Sequence, residues 1–417
     1  MNQFKTLLKN LGPGLLFASM AIGTSHLVLS TKAGATYGWA MIIPILLANL
    51  LKYPFFEFGI RYTNVTGRSL IEGYSRRGKL YMWVYAGITL VTTFTILAAL
   101  YVVTAGLLAN LFKISTVSVS VIALGLFAFI SAALIIGRYK LLETSLKFVV
   151  TILFVALLAT TVLVLYKPPV EAVAGFSPPP IFDSVGILFL ISLIGWMPTA
   201  VEASSWISLW SLEKYKSRGE RPPLKEALQE FNSGYITTAL LAVFFLLIGY
   251  RTLYGTQTEL SGNAVTFADQ VVSLFTTHIG EWAYLFIAVS AFATMFSTCM
   301  TAHDAIARVS VDVLEYLKPD KKRFVKKWHY AAAVLILTGV NFLVLTAFSA
   351  NMGDLVALAT FISFVLAPLV GYMNLKNVSS EDLPKKYHPG PGLRLLTYMG
   401  IIFLSFFAAY YLWMVLI

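Results

Sequence analysis

The sequence predicts an all-α integral membrane protein with eleven transmembrane helices, arranged as two inverted repeats and one additional helix. Its 417 residues are 58% hydrophobic and 12% charged, with a mean hydropathy of +0.76, which would make a poor soluble surface. Eleven apolar stretches are each long enough to cross roughly 30 Å of hydrocarbon. Glycine and proline interrupt two of them at corresponding positions, a pattern that indicates a secondary transporter with an inverted repeat.

The eleven predicted spans follow one another with short connections. We number them 1 to 11 and place them at 11–36, 38–61, 80–111, 115–136, 141–166, 183–212, 231–252, 281–306, 328–349, 353–375 and 393–416. Spans 1–5 form the first repeat (11–166), spans 6–10 form the second (183–375), and span 11 (393–416) is the additional helix of a single transporter domain, 1–417. Residues 264–275 alternate apolar and polar side chains at helical spacing, which predicts a short interfacial helix.

The interruptions in spans 1 and 6 share one pattern. Residues 14–23 and 186–195 both read Gly-apolar-Leu-Phe, four further residues and Ile-Gly, and the two copies are offset by 172 residues. A helix that unwinds inside a membrane leaves peptide groups unpaired, which is tolerated where they line a cavity or bind a solute. We therefore expect spans 1 and 6 to be unwound near 23–25 and 195–198, with the substrate between them.

The net charge of +11 reflects topology, so we expect no nucleic-acid partner. With the N-terminus in the cytoplasm, 25 of the 31 lysines and arginines fall in inner segments, three fall outside and three lie within spans. This bias satisfies the positive-inside rule. It predicts a multi-pass protein of the plasma membrane with an extracytoplasmic C-terminus.

Other features argue against an enzyme and against redox chemistry. The single cysteine, Cys299, lies in apolar span 8 and has no partner for an intramolecular disulfide. No cleavable signal peptide is evident, because the first apolar run continues too far. The sequence offers no H-E-x-x-H motif, paired catalytic carboxylates or Ser-His-Asp set, and we expect no cofactor.

Four short motifs carry a resemblance to a known family. Residues 61–70 match the pattern R-x-x-x-V-T-G-R-x-L, residues 137–143 resemble the segment that enters span 5, residues 33–38 resemble A-G-A-x-F-G, and Met197-Pro198 matches an M-P pair in span 6. Together these stretches resemble the NRAMP (natural resistance-associated macrophage protein) family of proton-coupled divalent-metal transporters. The resemblance implies the LeuT-type fold, with broken helices 1 and 6.

The same resemblance implies an altered metal site. Aligning span 1 on residues 33–35 places the family's D-P-G-N over residues 23–26, so that Gly23 replaces the metal-binding aspartate and His26 replaces the asparagine. Met197 keeps the thioether position, whereas Thr199 stands where the family has a histidine. A dehydrated divalent cation favours carboxylate ligands, so His26 and Met197 are the remaining, weak metal-ligand candidates.

The candidate site residues divide into two groups. Those predicted to bind substrate are Gly23, Thr24, Ser25, His26, Ile194, Met197 and Thr199. Those predicted to couple protons or compensate charge are His26, Glu202, Lys52, Glu57 and Asp304. Each has a structural alternative: His26 as a cap of the broken helix, Met197 as cavity wall, and Glu202 as a favourable charge at a helix N-terminus.

Ionisable residues within spans need partners. For Lys52 we expect Glu57, a backbone carbonyl or an anionic substrate group as partner, with a buried structural ion pair as the favoured arrangement and a fixed cation that replaces a coupling ion as the alternative. For Asp304 we expect a salt bridge with Arg308 one helical turn away.

The predicted function is NRAMP-like secondary active transport, nominally of a divalent cation of the Mn, Fe or Mg class, by alternating access. One alternative is a carrier of a small organic solute on the same fold, which the replacement of aspartate by Gly23 favours. Another is a membrane receptor or non-transporting scaffold. We expect the protein to be surrounded by membrane lipid and to be a monomer. Coupling of transport to protons is a further expectation.

Overall fold

The computed structural model describes residues 13–137, 155–256, 258–318, 327–348 and 351–416, and these are helical apart from the connections, of which 167–183 is the longest that is described in full. Sixteen α-helices are described, interspersed with one π-helical turn and three 3₁₀ turns. Their bounds are α1 Pro13–Ala21, α2 Thr31–Tyr37, α3 Ile42–Thr66, α4 Leu70–Arg77, α5 Lys79–Thr93, α6 Ile96–Leu111, α7 Val119–Ile136, α8 Val155–Tyr166, α9 Ser184–Gly195, α10 Ala203–Arg218, α11 Leu224–Leu253, α12 Ala264–Ile279, α13 Tyr284–Leu317, α14 Lys327–Ala347, α15 Met352–Val378 and α16 Pro391–Leu416.

Eight helices in the described ranges are long and apolar enough to cross a membrane. They correspond to spans 2, 3, 4, 7, 8, 9, 10 and 11. Spans 1 and 6 are divided into shorter helices, and the first part of span 5, together with Arg138–Glu143 of the motif 137–143, lies outside the described residues. The all-helical fold class is confirmed, whereas the count of eleven spans and the repeat boundaries stay predictions.

Both predicted interruptions are present. Span 1 stops at Ala21, is unwound at Ile22 and Gly23, and continues from Thr24 into a π-helical turn, Ser25–Ser30, and then α2. Span 6 stops at Gly195 and resumes at Ala203. We call residues 21–25 break 1 and residues 194–202 break 6, so that each name includes the helix ends that border the unwound residues. Break 6 extends four residues beyond the predicted 195–198, so Glu202 immediately precedes α10 and does not lie in its first turns.

Glycine permits the second half of span 1 to pack closely against span 7. A Cβ atom on Gly34 of α2 would lie 2.0 Å from the carbonyl oxygen of Leu246, and one on Gly249 of α11 would lie 2.2 Å from that of Thr31. Any side chain at either position would force the two helices apart. This contact fixes α2, and hence the C-terminal side of break 1, to α11.

Span 3 contains an interruption that we did not predict. Helix α5 ends at Thr93 and α6 begins at Ile96. Asn341 of α14 bridges the gap, because its amide donates to the Thr93 carbonyl (2.8 Å) and its carbonyl accepts from the Ala98 amide (3.1 Å). The predicted helix at 264–275 is confirmed as α12, which extends to Ile279.

Candidate substrate site

A small cavity lies between the two breaks. Its volume is about 30 Å³, which is room for about two water molecules. Break 1, break 6 and helices α1, α6, α10 and α13 contribute its walls. The lining residues are Met20, Ala21, Gly23, Thr24, Ser25, Ile96, Leu100, Trp196, Thr199, Ala200, Trp206, Thr298 and Ala302.

Four of the predicted substrate-binding residues line this cavity: Gly23, Thr24, Ser25 and Thr199. The hydroxyl of Thr24 contacts only the thioether sulfur of Met295, at 4.0 Å. Among the described residues, Thr199 takes part in a side-chain hydrogen bond only through its carbonyl oxygen, which accepts from Lys52. The cavity therefore offers two hydroxyl-bearing residues, of which Thr24 has a weak contact with sulfur and could exchange it for a solute.

Neutral hydroxyl groups lie close to the carbonyl groups of break 1, although each hydroxyl has one proton and can donate to only one acceptor at a time. The Ser25 hydroxyl lies 3.3 Å from the carbonyl oxygen of Ala21 and 3.3 Å from that of Pro198. The Thr298 hydroxyl lies 3.3 Å from the carbonyl oxygen of Ile22. Because Ser25 contacts both Ala21 and Pro198, it also joins break 1 to break 6.

His26 is buried beside this cavity but does not line it. Its Nε2 lies 2.9 Å from the carbonyl oxygen of Thr238 on α11, and its Nδ1 lies 2.9 Å from the Ser25 hydroxyl. A carbonyl only accepts, so Nε2 carries the proton and Nδ1 accepts from Ser25. These two contacts, which follow from the π-helical turn, direct the ring towards α11 and away from the cavity lining. Its proposed functional roles stay predictions.

Ile194 and Met197 also lie behind the cavity wall. Both are buried, and the Met197 amide donates to the Ile194 carbonyl at 3.2 Å, which closes the end of α9. Neither is among the residues that line the cavity. A ligand role for them would require break 6 to rearrange.

Lys52 binds the backbone of break 6. Its ammonium donates to the carbonyl oxygens of Ile194 (2.9 Å), Gly195 (2.9 Å) and Thr199 (3.2 Å), and the side chain is fully buried. Of the expected partners, the backbone carbonyl is confirmed, and the favoured ion pair between Lys52 and Glu57 is wrong. Five residues along a helix correspond to a rotation of about 140°, so these two side chains point to different sides of α3.

Glu57 instead pairs with Arg61, which lies one turn further along the same face of α3. The Arg61 Nε lies 3.1 Å and 3.0 Å from the two carboxylate oxygens, and its Nη2 makes a further contact. Arg61 also donates to the carbonyl of Tyr387 at 2.9 Å. Glu57 therefore anchors the cytoplasmic part of α3, by the predicted orientation, and lies away from the cavity.

Glu202 is a buried carboxylate at the end of break 6, next to α10. One oxygen accepts from the hydroxyl of Ser363 (3.2 Å), which in turn accepts from the indole of Trp196 (3.0 Å). The other oxygen, Oε2, has no hydrogen-bond partner within the described ranges. Glu202 forms no salt bridge there, although Lys52 and Tyr85 interact with it electrostatically.

The predicted Asp304–Arg308 salt bridge is confirmed. The Arg308 Nε lies 2.9 Å from both Asp304 oxygens, and the hydroxyl of Tyr330 donates to the carboxylate at 2.7 Å. Neither residue of the pair lines the cavity between the breaks, and Arg308 and Tyr330 line a second cavity of about 940 Å³. Within the described part of the chain, no three His, Cys, Asp or Glu side chains are grouped so that they could hold a metal ion.

The family follows from a match over nearly the whole chain. Residues 14–414 match the family model described as Natural resistance-associated macrophage protein-like. The chain belongs to the NRAMP family. It is accordingly a multi-pass membrane transporter, and the resemblance predicted from the four motifs is confirmed.

Relatives of this NRAMP-family protein support the fold. An uncharacterized protein of Pasteurella multocida is 31% identical over 402 residues, which cover 95% of this chain and 90% of the relative. A manganese transporter of Eremococcus coleocola superimposes with a TM-score of 0.70 at 14% identity, covering 97% of this chain and 86% of that one. MhsT in complex with L-phenylalanine superimposes with a TM-score of 0.66 at 13% identity, covering 96% and 97%. The LeuT-type fold is therefore confirmed.

Sequence reasoning missed several residues that shape the site of this NRAMP-family protein. Trp196 and Trp206 form aromatic walls, and Thr298 satisfies break 1 from α13. Trp196 lies inside the repeated pattern's second break, a signal that could have identified it. Thr298 sits in an ordinary apolar span, and only the packing of α13 against α1 places it at the site.

Proposed function

We propose that this protein is a secondary active transporter that carries a small organic solute, bound between break 1 and break 6. The cavity supports this reading because its side chains are hydroxyls, two indoles and apolar groups, with no ionisable side chain among those described. Hydroxyl groups can bind the polar part of such a solute, and indole faces can pack against its apolar part. The position of Thr24 and Thr199 in the lining of the cavity is the observation that carries the proposal.

The fold accommodates such cargo. MhsT, which shares the fold, has been captured with L-phenylalanine. In this protein, a cavity of about 30 Å³ is too small for an amino acid, so the walls must separate when the solute enters. Alternating access supplies that movement, with the halves of spans 1 and 6 opening first to one side of the membrane and then to the other. We also propose a cytoplasmic N-terminus, an extracytoplasmic C-terminus and a monomer.

A divalent cation is the second candidate cargo. Family membership and the fold shared with a manganese transporter favour it. The potential ligands do not favour it, because Gly23 supplies no carboxylate and the His26 ring is engaged by Ser25 and Thr238. Replacing a charged ligand with a neutral one costs about 3 kcal/mol, or about 100-fold in affinity.

Binding to the purified protein separates these cargoes. We expect at least one compound in a panel of amino acids, nucleobases and sugars to bind saturably in calorimetry. Manganese should bind at least about 100-fold more weakly than it binds to the Eremococcus coleocola transporter. Thr199→Val should weaken solute binding about 10-fold, because one hydrogen bond is lost, whereas Thr160→Val is the control. Thr160 is also buried, but it bonds only within α8, to Ala156. Micromolar manganese binding that Gly23→Asp does not change would contradict the proposal.

We further propose that Glu202 carries the coupled proton. Its Oε2 has no hydrogen-bond partner among the described residues, whereas both ring nitrogens of His26 are engaged. Glu202→Gln should flatten the dependence of solute uptake on pH in liposomes, and His26→Ala should preserve most of it. The opposite result would assign the proton to His26, as the sequence first suggested.

A further inference from the structure

Lys52 makes the same contacts as a bound cation. An ammonium has three donors, and all three are used on the backbone carbonyls of Ile194, Gly195 and Thr199, at 2.9, 2.9 and 3.2 Å. Gly195 and Thr199 have no other hydrogen-bond donor to their carbonyls among the described residues. Lys52 is therefore the group that satisfies this part of break 6.

The contacts are those of a carbonyl cage. Ion-selective sites replace the hydration shell of an alkali cation with backbone carbonyl oxygens, and the C-terminal end of a helix adds its own negative partial charge. Ile194 and Gly195 provide such an end for α9. No carboxylate in the described ranges lies within salt-bridge distance of Lys52, because Glu57 pairs with Arg61.

We propose that Lys52 is a covalently tethered cation that occupies a monovalent-cation site within break 6. The transporter would then hold break 6 together without sodium or potassium from solution. This inference rests on the proposed function in one respect, which is that break 6 forms part of the wall of the substrate cavity. The link is Thr199, because its side chain lines the cavity while its carbonyl binds the ammonium.

Removing the ammonium should leave a vacant carbonyl cage. We would purify Lys52→Ala and Lys52→Met in potassium chloride, exchange them into choline, lithium, sodium or potassium chloride at one ionic strength, and measure Tm without any solute. We expect at least one alkali cation to raise the Tm of Lys52→Ala by about 3 °C or more, saturably, relative to choline. The wild-type protein should show no saturable dependence.

The control is Lys216→Ala, which removes an exposed lysine of α10 that pairs with Glu213. It should behave as the wild type does. Equal Tm values of Lys52→Ala in all four salts, or a saturable response in the wild type, would overturn the inference. Failure of both Lys52 variants to fold in every alkali salt would also overturn it, because the vacant cage should accept such a cation. None of these readouts involves solute, so a negative solute panel would count only against the proposed function.

Discussion

Break 1 and break 6 arise from the same sequence pattern but are stabilised by different chemistry. In break 1, the hydroxyls of Ser25 and Thr298 approach the exposed carbonyls. In break 6, the Lys52 ammonium binds three carbonyls, and the Glu202 carboxylate lies at the far end. The residues of break 1 thus include no ionisable side chain, whereas break 6 is bordered by one basic side chain, Lys52, and one acidic side chain, Glu202.

The difference indicates that the two breaks have different roles, one able to change its contacts and the other required to keep them. Neutral hydroxyls can exchange partners at low cost, so break 1 can alter its contacts as the cavity opens. A buried charge costs several kcal/mol if it loses its partners, so break 6 must keep the Lys52 contacts or replace them. We therefore expect perturbations of break 6 to have larger effects than matched perturbations of break 1.

The largest expected effect comes from removing the polar group that satisfies each break. Lys52→Met in choline buffer should lower the free energy of unfolding by about 3 kcal/mol or more. The carbonyls of Gly195 and Thr199 lose the only donor that the described residues provide, whereas the Ile194 carbonyl keeps the Met197 amide. Thr298→Val, which removes one neutral donor from break 1, should cost about 1 kcal/mol. The decrease in Tm of each variant relative to the wild-type protein, measured in the same detergent, compares the two losses. Equal losses of stability in the two variants would contradict the expectation that break 6 is the more sensitive of the two breaks.

An intermediate effect is expected from enlarging the glycine in each break pattern. A Cβ on Gly195 would lie 2.3 Å from the carbonyl oxygen of Thr360, which is backbone. Gly195→Ala should therefore cost about 1–3 kcal/mol. A Cβ on Gly23 would lie 3.0 Å from the Thr298 side chain, which can move, so Gly23→Ala should cost less than about 1 kcal/mol. The same melting assay tests both, and a larger loss in Gly23→Ala would reverse the comparison.

The smallest effect on stability is expected from Asp269, a solvated carboxylate on the predicted outer side of the membrane. Asp269 of α12 accepts from the Asn110 amide at 2.8 Å and lies 3.4 Å from the Lys113 ammonium. The hydrogen bond from Asn110, followed by those from Tyr284 and Lys113, holds the pKa of Asp269 below its ordinary value of 3.8, against a smaller opposing effect of burial.

The sign of the pH dependence follows from that lowered pKa. The contact stabilises the folded protein above about pH 3.8 and is lost as the pH falls through the lower folded pKa. After correction for the intrinsic exchange rate at each pH, hydrogen exchange of α12 should therefore increase modestly at the acid end of a series from pH 5 to pH 3. Asp269→Asn should remove most of this increase. If Asp269→Asn shows the same increase in exchange at acid pH as the wild-type protein, another titrating group is responsible for that increase.

Part of the site was predictable from local sequence. The repeated Ile-Gly ends located both breaks, and the four-residue spacing of Asp304 and Arg308 predicted their salt bridge. The pairing of Lys52 was not predictable, because five residues along α3 separate it from Glu57 and its actual partners lie 142 to 147 residues away. The orientation of His26 was not predictable either, since it depends on the π-helical turn and on Thr238 of α11.

The sequence by itself determined the all-helical membrane fold, the family and the approximate positions of the two breaks. Hydrophobic length, charge placement and glycine positions are local properties that constrain every fold the chain can adopt in a bilayer. Only the tertiary structure decided which polar groups satisfy each break. Unpaired carbonyls take donors from whichever helix packs beside them, so Lys52 of α3 and Thr298 of α13 acquire their roles from helix packing.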